Sequence, residues 1–300
     1  MSAADFSALQ RPNDRLRRRR VANRGMEILA WLAAAIAVGI LGIVVWSVAK
    51  RGAAALNLGL ITKSQVQFAL PGAAEGGLAN AFAGSLVVVG LATLIALPVG
   101  ILVAIYVNEF APPSIRSFVG LTLDVLNGIP AIVIGIFVFG LLVVGHGYSG
   151  YAGGFALAVL MLPLVARTSI EVLLLVPGSL REASLGLGVP RWRTTLGIVL
   201  PQAIGGIITG AVLAVARVAG ETAPLLLTCA VGVSNNADFN PTHPLQTVPT
   251  AIFELSESAL PADHARAWAA AFVLLMFILV TSLTARWLAE RTRRKLRRAA

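Results

Sequence analysis

Residues 176–193 read VPGSLREASLGLGVPRWR and join two apolar runs, at about 152–170 and about 202–231. A run of roughly 20 apolar residues is long enough to cross the hydrocarbon core of a bilayer as a helix, which satisfies its own backbone hydrogen bonds in lipid. Residues 176–193 contain three arginines and one glutamate, and such charges are costly inside a bilayer. They therefore predict a segment in water between two membrane spans.

The segment itself predicts a short helix. Pro177-Gly178 ends the preceding helix, because proline lacks an amide hydrogen and glycine is a weak helix former. Ser179 and Glu182 have the spacing of a capping box, in which each side chain bonds the other residue's amide, so we predict that a new helix begins at Ser179. Gly188 and Pro190 then end it after roughly two to three turns.

Apolar runs of this kind recur along the whole chain. The composition is 57% hydrophobic and 13% charged, whereas soluble domains carry about 25% charged residues. We predict an all-α, polytopic membrane protein with six transmembrane helices, of which 28–49 is the first. The six runs are at about 28–49, 81–107, 118–144, 152–170, 202–231 and 267–288.

Basic residues predict the orientation of the spans, because cytoplasmic loops carry an excess of Lys and Arg. Seven arginines fall between Arg11 and Arg24, and seven Lys or Arg residues between Arg286 and Arg298. Residues 1–27 and 291–300 are therefore predicted to be basic cytoplasmic tails of a multi-pass protein of the cytoplasmic (inner) membrane. The net charge of +10 does not indicate nucleic-acid binding, since both clusters flank apolar runs and no aromatic residues are interleaved for base stacking.

The sequence offers no chemistry of its own. Cys229 is the single cysteine, the histidines are scattered at His146, His243 and His264, and no Walker A glycine loop is present. We expect no catalytic residue, metal site or cofactor in this chain. If ATP drives the protein, ATP and Mg²⁺ must be bound by another chain.

The segment from Glu182 to Pro201 resembles the EAA motif of ABC importer permeases. The family pattern is Glu-Ala-Ala, three residues, Gly, nine residues, Ile, one residue and Leu-Pro; here a serine replaces the second alanine. The resemblance implies the type I permease fold, in which this helix lies in a coupling loop, here 171–201, that fits a groove of the ATPase. The matching residues are Glu182, Ala183, Ser184, Gly188, Ile198, Leu200 and Pro201.

Three further segments resemble permease subunits of phosphate-specific ABC importers, of the PstA type. They read LNGIPAIVIGIF at 126–137, LPLVART at 162–168 and ARVAGETAPLL at 216–226. The likeness covers roughly residues 75–290, which we predict to be the permease domain. It implies that the chain moves inorganic phosphate, together with a second homologous permease, a cytoplasmic ATPase dimer and an extracytoplasmic phosphate-binding protein. Two alternatives remain: a permease for molybdate, sulfate or phosphonate, and a membrane scaffold or channel without an ATPase.

Two charged residues fall inside the fifth apolar run. If the span begins near Pro201, Arg217 lies about 24 Å along it at 1.5 Å per residue, where an arginine costs at least ~2.5 kcal/mol and needs a partner or a watery cavity. Glu221 is four residues on, on the same helical face, so we predict an ion pair. The pair either holds helices together or lines a path in which Arg217 engages phosphate oxygens.

Arg167 and Glu171 repeat the four-residue spacing near the inner end of the fourth run. Arg167 is either a third residue of the substrate path or an arginine that reaches the membrane interface. Asp124, in the third run, is predicted to lie near the interface and to be satisfied by Asn127 or water.

Overall fold

The computed structural model describes residues 14–64, 76–229 and 237–299, and every regular element in these ranges is a helix. The predicted all-α fold class is therefore confirmed. The chain forms two compact units, of which the first ends at Lys50 and the second begins at Arg51. The helices are α1 (Asp14–Ala54), α2 (Leu58–Thr62), α3 (Ala79–Ile105), α4 (Pro113–Gly128), α5 (Ala131–Val138), α6 (Gly150–Leu174), α7 (Gly178–Gly186), α8 (Arg191–Thr194), α9 (Leu200–Val218), α10 (Ala223–Thr228), α11 (Val248–Glu257) and α12 (Pro261–Ala299).

The first unit is made by the part of α1 that ends at Lys50. Its large apolar side chains from Val21 to Val44 are exposed, including Trp31 at 72%, and so is Trp46 at 71%. A long helix of high hydropathy is typical of a membrane span. The predicted first span, 28–49, lies within the candidate span Arg18–Ala54.

Among the described residues, five stretches are long and apolar enough to cross a membrane, and one bent helix pair adds a sixth candidate. The number of spans is therefore the predicted six if the bent pair counts as one. The five are Arg18–Ala54, Ala79–Phe110, Gly150–Leu174, Arg191–Val218 and Pro261–Trp287, and the pair is Pro113–Gly128 with Ala131–Val143.

The prediction of a continuous third span over 118–144 was wrong. The pair α4 and α5 is bent by 96° at its break, and Ile129 there has extended backbone with φ −69° and ψ 129°. Pro130 explains the break, since a proline disfavours the helical conformation in the residue before it and cannot donate to the helix ladder. The apolar run gave no indication of the break between α4 and α5, because hydropathy does not register a break of two residues.

The fifth span also differs from the predicted 202–231. It begins at Arg191, passes through a π-helical turn at Thr195–Val199, and ends at Val218. Pro201 is the second residue of α9, and the helix continues through it. Pro224 lies beyond this span, in the first turn of the separate helix α10.

Small residues bring α3, α6 and α9 into close contact. A Cβ atom at Gly100 of α3 would lie 2.9 Å from Cγ1 of Val165, and one at Gly206 of α9 would lie 2.5 Å from Cγ1 of Val172, both on α6. Gly210 meets Thr168 of α6 in the same way, at 2.7 Å. The glycines on α9 therefore serve packing inside this chain, against α6.

The contact between α3 and the segment before α11 yields a stability prediction. A Cβ atom at Gly84 would clash with the main-chain oxygen of Gln246. We therefore expect Gly84→Ala to lower the stability of the detergent-solubilised chain by roughly 1–3 kcal/mol, as overpacking does. Gly90, on the same helix, has no neighbouring atom within 4 Å, which makes Gly90→Ala the matched control. Thermal unfolding of both variants checks this, and equal melting temperatures would contradict the packing.

Candidate functional site

The predicted coupling helix exists as α7, but it begins differently from the prediction. It starts at Gly178, with Pro177 at the N-cap and no side-chain cap, so the capping box of Ser179 and Glu182 was wrong. Because Pro177 occupies the N-cap, Ser179 falls inside the first turn, where it is out of register for capping. The helix ends at Gly186, and Gly188 has a φ of +80° that favours glycine.

The residues of the EAA-like segment divide into an outer and an inner set. Ser179, Glu182 and Ala183 are exposed, whereas Ser184 is 3% exposed and its hydroxyl bonds that of Thr194 at 2.9 Å. The serine that replaces the second alanine therefore ties α7 to α8 and does not face outward. The remaining members follow along the chain: exposed Gly188, half-buried Ile198 and Leu200, and exposed Pro201.

Arg181 holds α7 against the ends of two other helices. Its Nε atom lies 3.2 Å from each carboxylate oxygen of Glu109, and its Nη2 atom lies 2.9 Å from one of them. The same guanidinium donates to the main-chain oxygens of Val176 at 2.7 Å and Leu173 at 2.9 Å. Sequence reasoning missed this cluster, although Glu109 is a carboxylate directly after an apolar run and Arg181 a cation within the EAA-like segment.

A cavity of about 390 Å³ opens beside Arg181. Its lining includes Arg116, whose guanidinium donates to the main-chain oxygens of Val107 and Asn108 at 3.1 Å each. Arg116 thus donates hydrogen bonds to the carboxyl end of α3 and its π turn Tyr106–Phe110. The carbonyl oxygens at such an end lack partners within the helix.

The candidate substrate path contains a second, smaller cavity of about 70 Å³. It lies where α4 ends and α5 begins, and where α9 ends, so two interrupted helices meet there. Arg217 and Glu221 both line it. The other lining residues are Leu126, Asn127, Ile129, Ala131, Leu160, Leu164 and Val218.

The predicted ion pair between Arg217 and Glu221 was wrong. The two residues form no salt bridge among the ion pairs of the described residues. The physical reason is that α9 ends at Val218, so Glu221 no longer follows Arg217 at the four-residue helical spacing. Arg217 is exposed within the chain and Glu221 is half-buried, and both carry their charge at the edge of the same cavity.

Arg167 is paired with a residue of another helix, and not with Glu171 at the four-residue spacing. Its Nη2 atom lies 2.9 Å from Oδ1 of Asp124 on α4, and Glu171 is exposed. The expectation that Asn127 or water would satisfy Asp124 was therefore wrong. The bend after Gly128 turns the chain so that α4 packs along α6, which a straight third span did not anticipate. Arg167 does not line the cavity of Arg217 and Glu221.

The two short helices that start at this cavity pack directly on each other. A Cβ atom at Gly135 of α5 would lie 2.8 Å from Cα of Pro224 on α10. Cys229, just after α10, packs in turn against Gly153 of α6. The two helices that follow the breaks at 129–130 and 219–222 are therefore in close backbone contact.

Comparison with known proteins agrees with this architecture. Residues 96–294 match the family model described as a binding-protein-dependent transport system inner membrane component. The chain is 38% identical to the phosphate transport system permease protein PstA of Pasteurella multocida over 89% of this chain and 94% of that protein. It is 36% identical to the phosphate transport system permease protein PstA 1 of Mycobacterium tuberculosis (strain H37Rv), over 92% of this chain and 91% of that one.

Solved structures of ABC transporters share the fold at low sequence identity. A bacterial alginate ABC transporter, in complex with an alginate pentasaccharide-bound periplasmic protein, matches with a TM-score of 0.61 and 16% identity, over 91% of this chain and 96% of that chain. The MetNI methionine ABC transporter, in an inward-facing conformation, matches with a TM-score of 0.54 and 18% identity, over 71% and 93%. The chain therefore belongs to the family of binding-protein-dependent transport system inner membrane components, and the curated relatives it resembles are PstA-type permeases.

Proposed function

We propose that this chain is a transmembrane permease subunit of an ATP-driven importer that moves inorganic phosphate across the cytoplasmic membrane. The observation that supports phosphate as the substrate is the position of Arg217 and Glu221. Both line one cavity, where two interrupted helices meet. The identity of 36–38% to phosphate transport system permeases over about nine tenths of the chain supports the same substrate.

The chemistry of the cavity suits an oxyanion. The planar guanidinium of Arg217 presents paired donors that match phosphate oxygens. The amino end of α5 begins at the cavity, since Ile129 and Ala131 line it, and a helix amino end favours negative charge through its unpaired amide hydrogens. Interrupted helices at membrane depth are tolerated where they line a cavity, and this arrangement recurs at transporter substrate sites.

Glu221 gives the cavity a counter-charge. A path must hold its substrate weakly enough to release it, and a carboxylate beside Arg217 lowers the affinity for a phosphate anion by repulsion. Arg167, paired with Asp124, belongs to this path as a second cation that phosphate meets closer to α7.

The assembly follows from the exposed surface of α7. An ATPase dimer binds ATP and Mg²⁺ on the cytoplasmic side, and Glu182 and Ala183, exposed on α7, contact it. A second homologous permease completes the membrane part, and an extracytoplasmic phosphate-binding protein delivers the substrate. Both termini then lie in the cytoplasm of a multi-pass inner-membrane protein, with the basic tails beside the anionic membrane surface.

Competition for uptake separates this proposal from its nearest alternatives. In cells that depend on this chain, uptake of radiolabelled phosphate is expected to persist in the presence of excess molybdate, sulfate or phosphonate. Inhibition by one of these ions at concentrations similar to phosphate would assign the permease to that oxyanion. An assembly that purifies without any nucleotide-binding subunit would instead favour the scaffold or channel.

A further inference from the structure

Arg181 connects the coupling helix α7 to two other helices at once. Glu109, its acidic partner, comes from the π turn that ends the α3 span. Leu173 and Val176, whose carbonyl oxygens it binds, are at the end of α6 and in the link to α7. One side chain on α7 is therefore bonded to the inner end of α3 and to the inner end of α6.

This connection is a firm one. The Glu109 side chain is 9% exposed and that of Arg181 23%, so solvent screens the pair far less than an ion pair on the open surface. The guanidinium reaches both carboxylate oxygens and two carbonyl oxygens, which fixes its orientation as well as its position. In the absence of Glu109's charge, the two carbonyl oxygens still hold the Arg181 guanidinium near α6, so the bond that is lost is the one to α3.

The two helices that Arg181 contacts, α3 and α6, are linked to the Arg217 cavity by direct packing contacts. α3 and α6 share a core that includes Ala96, Met161 and Val165. α6 in turn meets α9 at contacts in which a Cβ atom on Gly206 or Gly210 would lie under 3 Å from it. α9 ends beside the cavity, one residue after Arg217. Movement of the inner ends of α3 and α6 therefore has a close-packed route to the cavity.

We propose that Arg181 is a positioning residue whose bonds to Glu109 pass the movement of α7 on to α3, so that ATPase closure changes the Arg217 cavity. This inference rests on the proposed function. A purely structural brace would predict that breaking the pair lowers assembly or stability. If the pair instead transmits movement from α7 to α3, breaking it leaves assembly intact but uncouples ATP hydrolysis from transport.

Glu109→Gln is the variant that separates the two roles. The amide keeps the shape of the carboxylate and loses the charge that holds Arg181. In the reconstituted complex we expect ATP hydrolysis within about twofold of the parent, and a fall of tenfold or more in phosphate transported per ATP. The exchanged pair Glu109→Arg with Arg181→Glu restores the ion pair but not the carbonyl bonds, so it is expected to regain part of that loss.

Arg116→Gln is the matched control. Arg116 lines the same cavity and bonds the same end of α3, through Val107 and Asn108, but its bonds do not reach α7. We expect phosphate transported per ATP to stay within about twofold of the parent. Proportional losses of hydrolysis and transport in Glu109→Gln, or no loss of either, would contradict the proposal that the Arg181–Glu109 pair transmits movement from α7 to α3.

Hydrogen exchange on the assembled complex provides a readout that needs no phosphate. Vanadate trapping of the ATPase is expected to change exchange at residues 178–186 and at 101–110 in the parent. In Glu109→Gln the change is expected to persist at 178–186 and to disappear at 101–110. An undiminished change in exchange at 101–110 in Glu109→Gln would contradict the transmission of movement from α7 to α3, whatever the substrate. Absence of phosphate uptake by the parent would contradict only the proposed substrate.

Discussion

Arg217→Gln is expected to reduce phosphate uptake to the background of cells that lack the chain, a loss of at least about a hundredfold. The reason is that the glutamine amide keeps the length and some hydrogen bonding of the side chain but removes the positive charge that faces the cavity. A transporter that loses the cation for its anionic substrate loses the interaction that draws phosphate out of water. Radiolabelled phosphate uptake by cells that express the variant measures this.

The ATPase content of the purified complex distinguishes the path role from a structural one. Because Arg217 forms no salt bridge with Glu221 among the ion pairs of the described residues, we expect Arg217→Gln to assemble as the parent does. Lys63→Gln, which removes one charge from an exposed side chain, is the control and should leave uptake unchanged. Unchanged uptake in Arg217→Gln would contradict a role of Arg217 in the substrate path. Loss of the complex would favour a structural role for Arg217.

Glu182→Lys is expected to release the ATPase and to abolish ATP-driven uptake. Glu182 is exposed on α7, so the change alters the surface that a partner meets without disturbing a buried contact of this chain. A reversed charge at a docking contact leaves like charges facing each other, which costs several kcal/mol at an interface. Co-purification of the ATPase with the tagged chain measures the loss, which we expect to exceed tenfold.

Glu257→Lys is the control for that experiment. Glu257 is likewise an exposed glutamate, on α11, and the same charge reversal there should leave the ATPase bound. Retention of the ATPase by Glu182→Lys would remove α7 from the docking surface. A loss in both variants would point to a general effect of charge on assembly.

The all-helical fold and the short helix α7 were predictable from the sequence because each depends on local or compositional signals. Apolar length predicts spans, and Pro177 with Gly188 marks the limits of α7 within two residues. The span limits were less predictable, since apolar composition continues across breaks. Only the proline at 130 signalled that α4 and α5 are separate helices.

The pairing of charged residues failed for a different reason. The four-residue rule assumes a continuous helix and local partners, whereas Arg167 binds Asp124, which is 43 residues away in sequence. The Arg181–Glu109 cluster spans 72 residues. Such contacts depend on how α3, α4 and α6 pack together, and that packing is not encoded in the spacing of charges along one helix.

Reconstitution of the purified complex into liposomes tests the phosphate importer most directly. Phosphate-loaded binding protein is supplied on the side of the extracytoplasmic loops and ATP on the side of α7, and radiolabelled phosphate in the compartment that holds ATP is measured. We predict accumulation that requires ATP, binding protein and this chain together, and that falls to background with Arg217→Gln. Phosphate movement without ATP, or equal movement with and without this chain, would contradict an ATP-driven permease for phosphate.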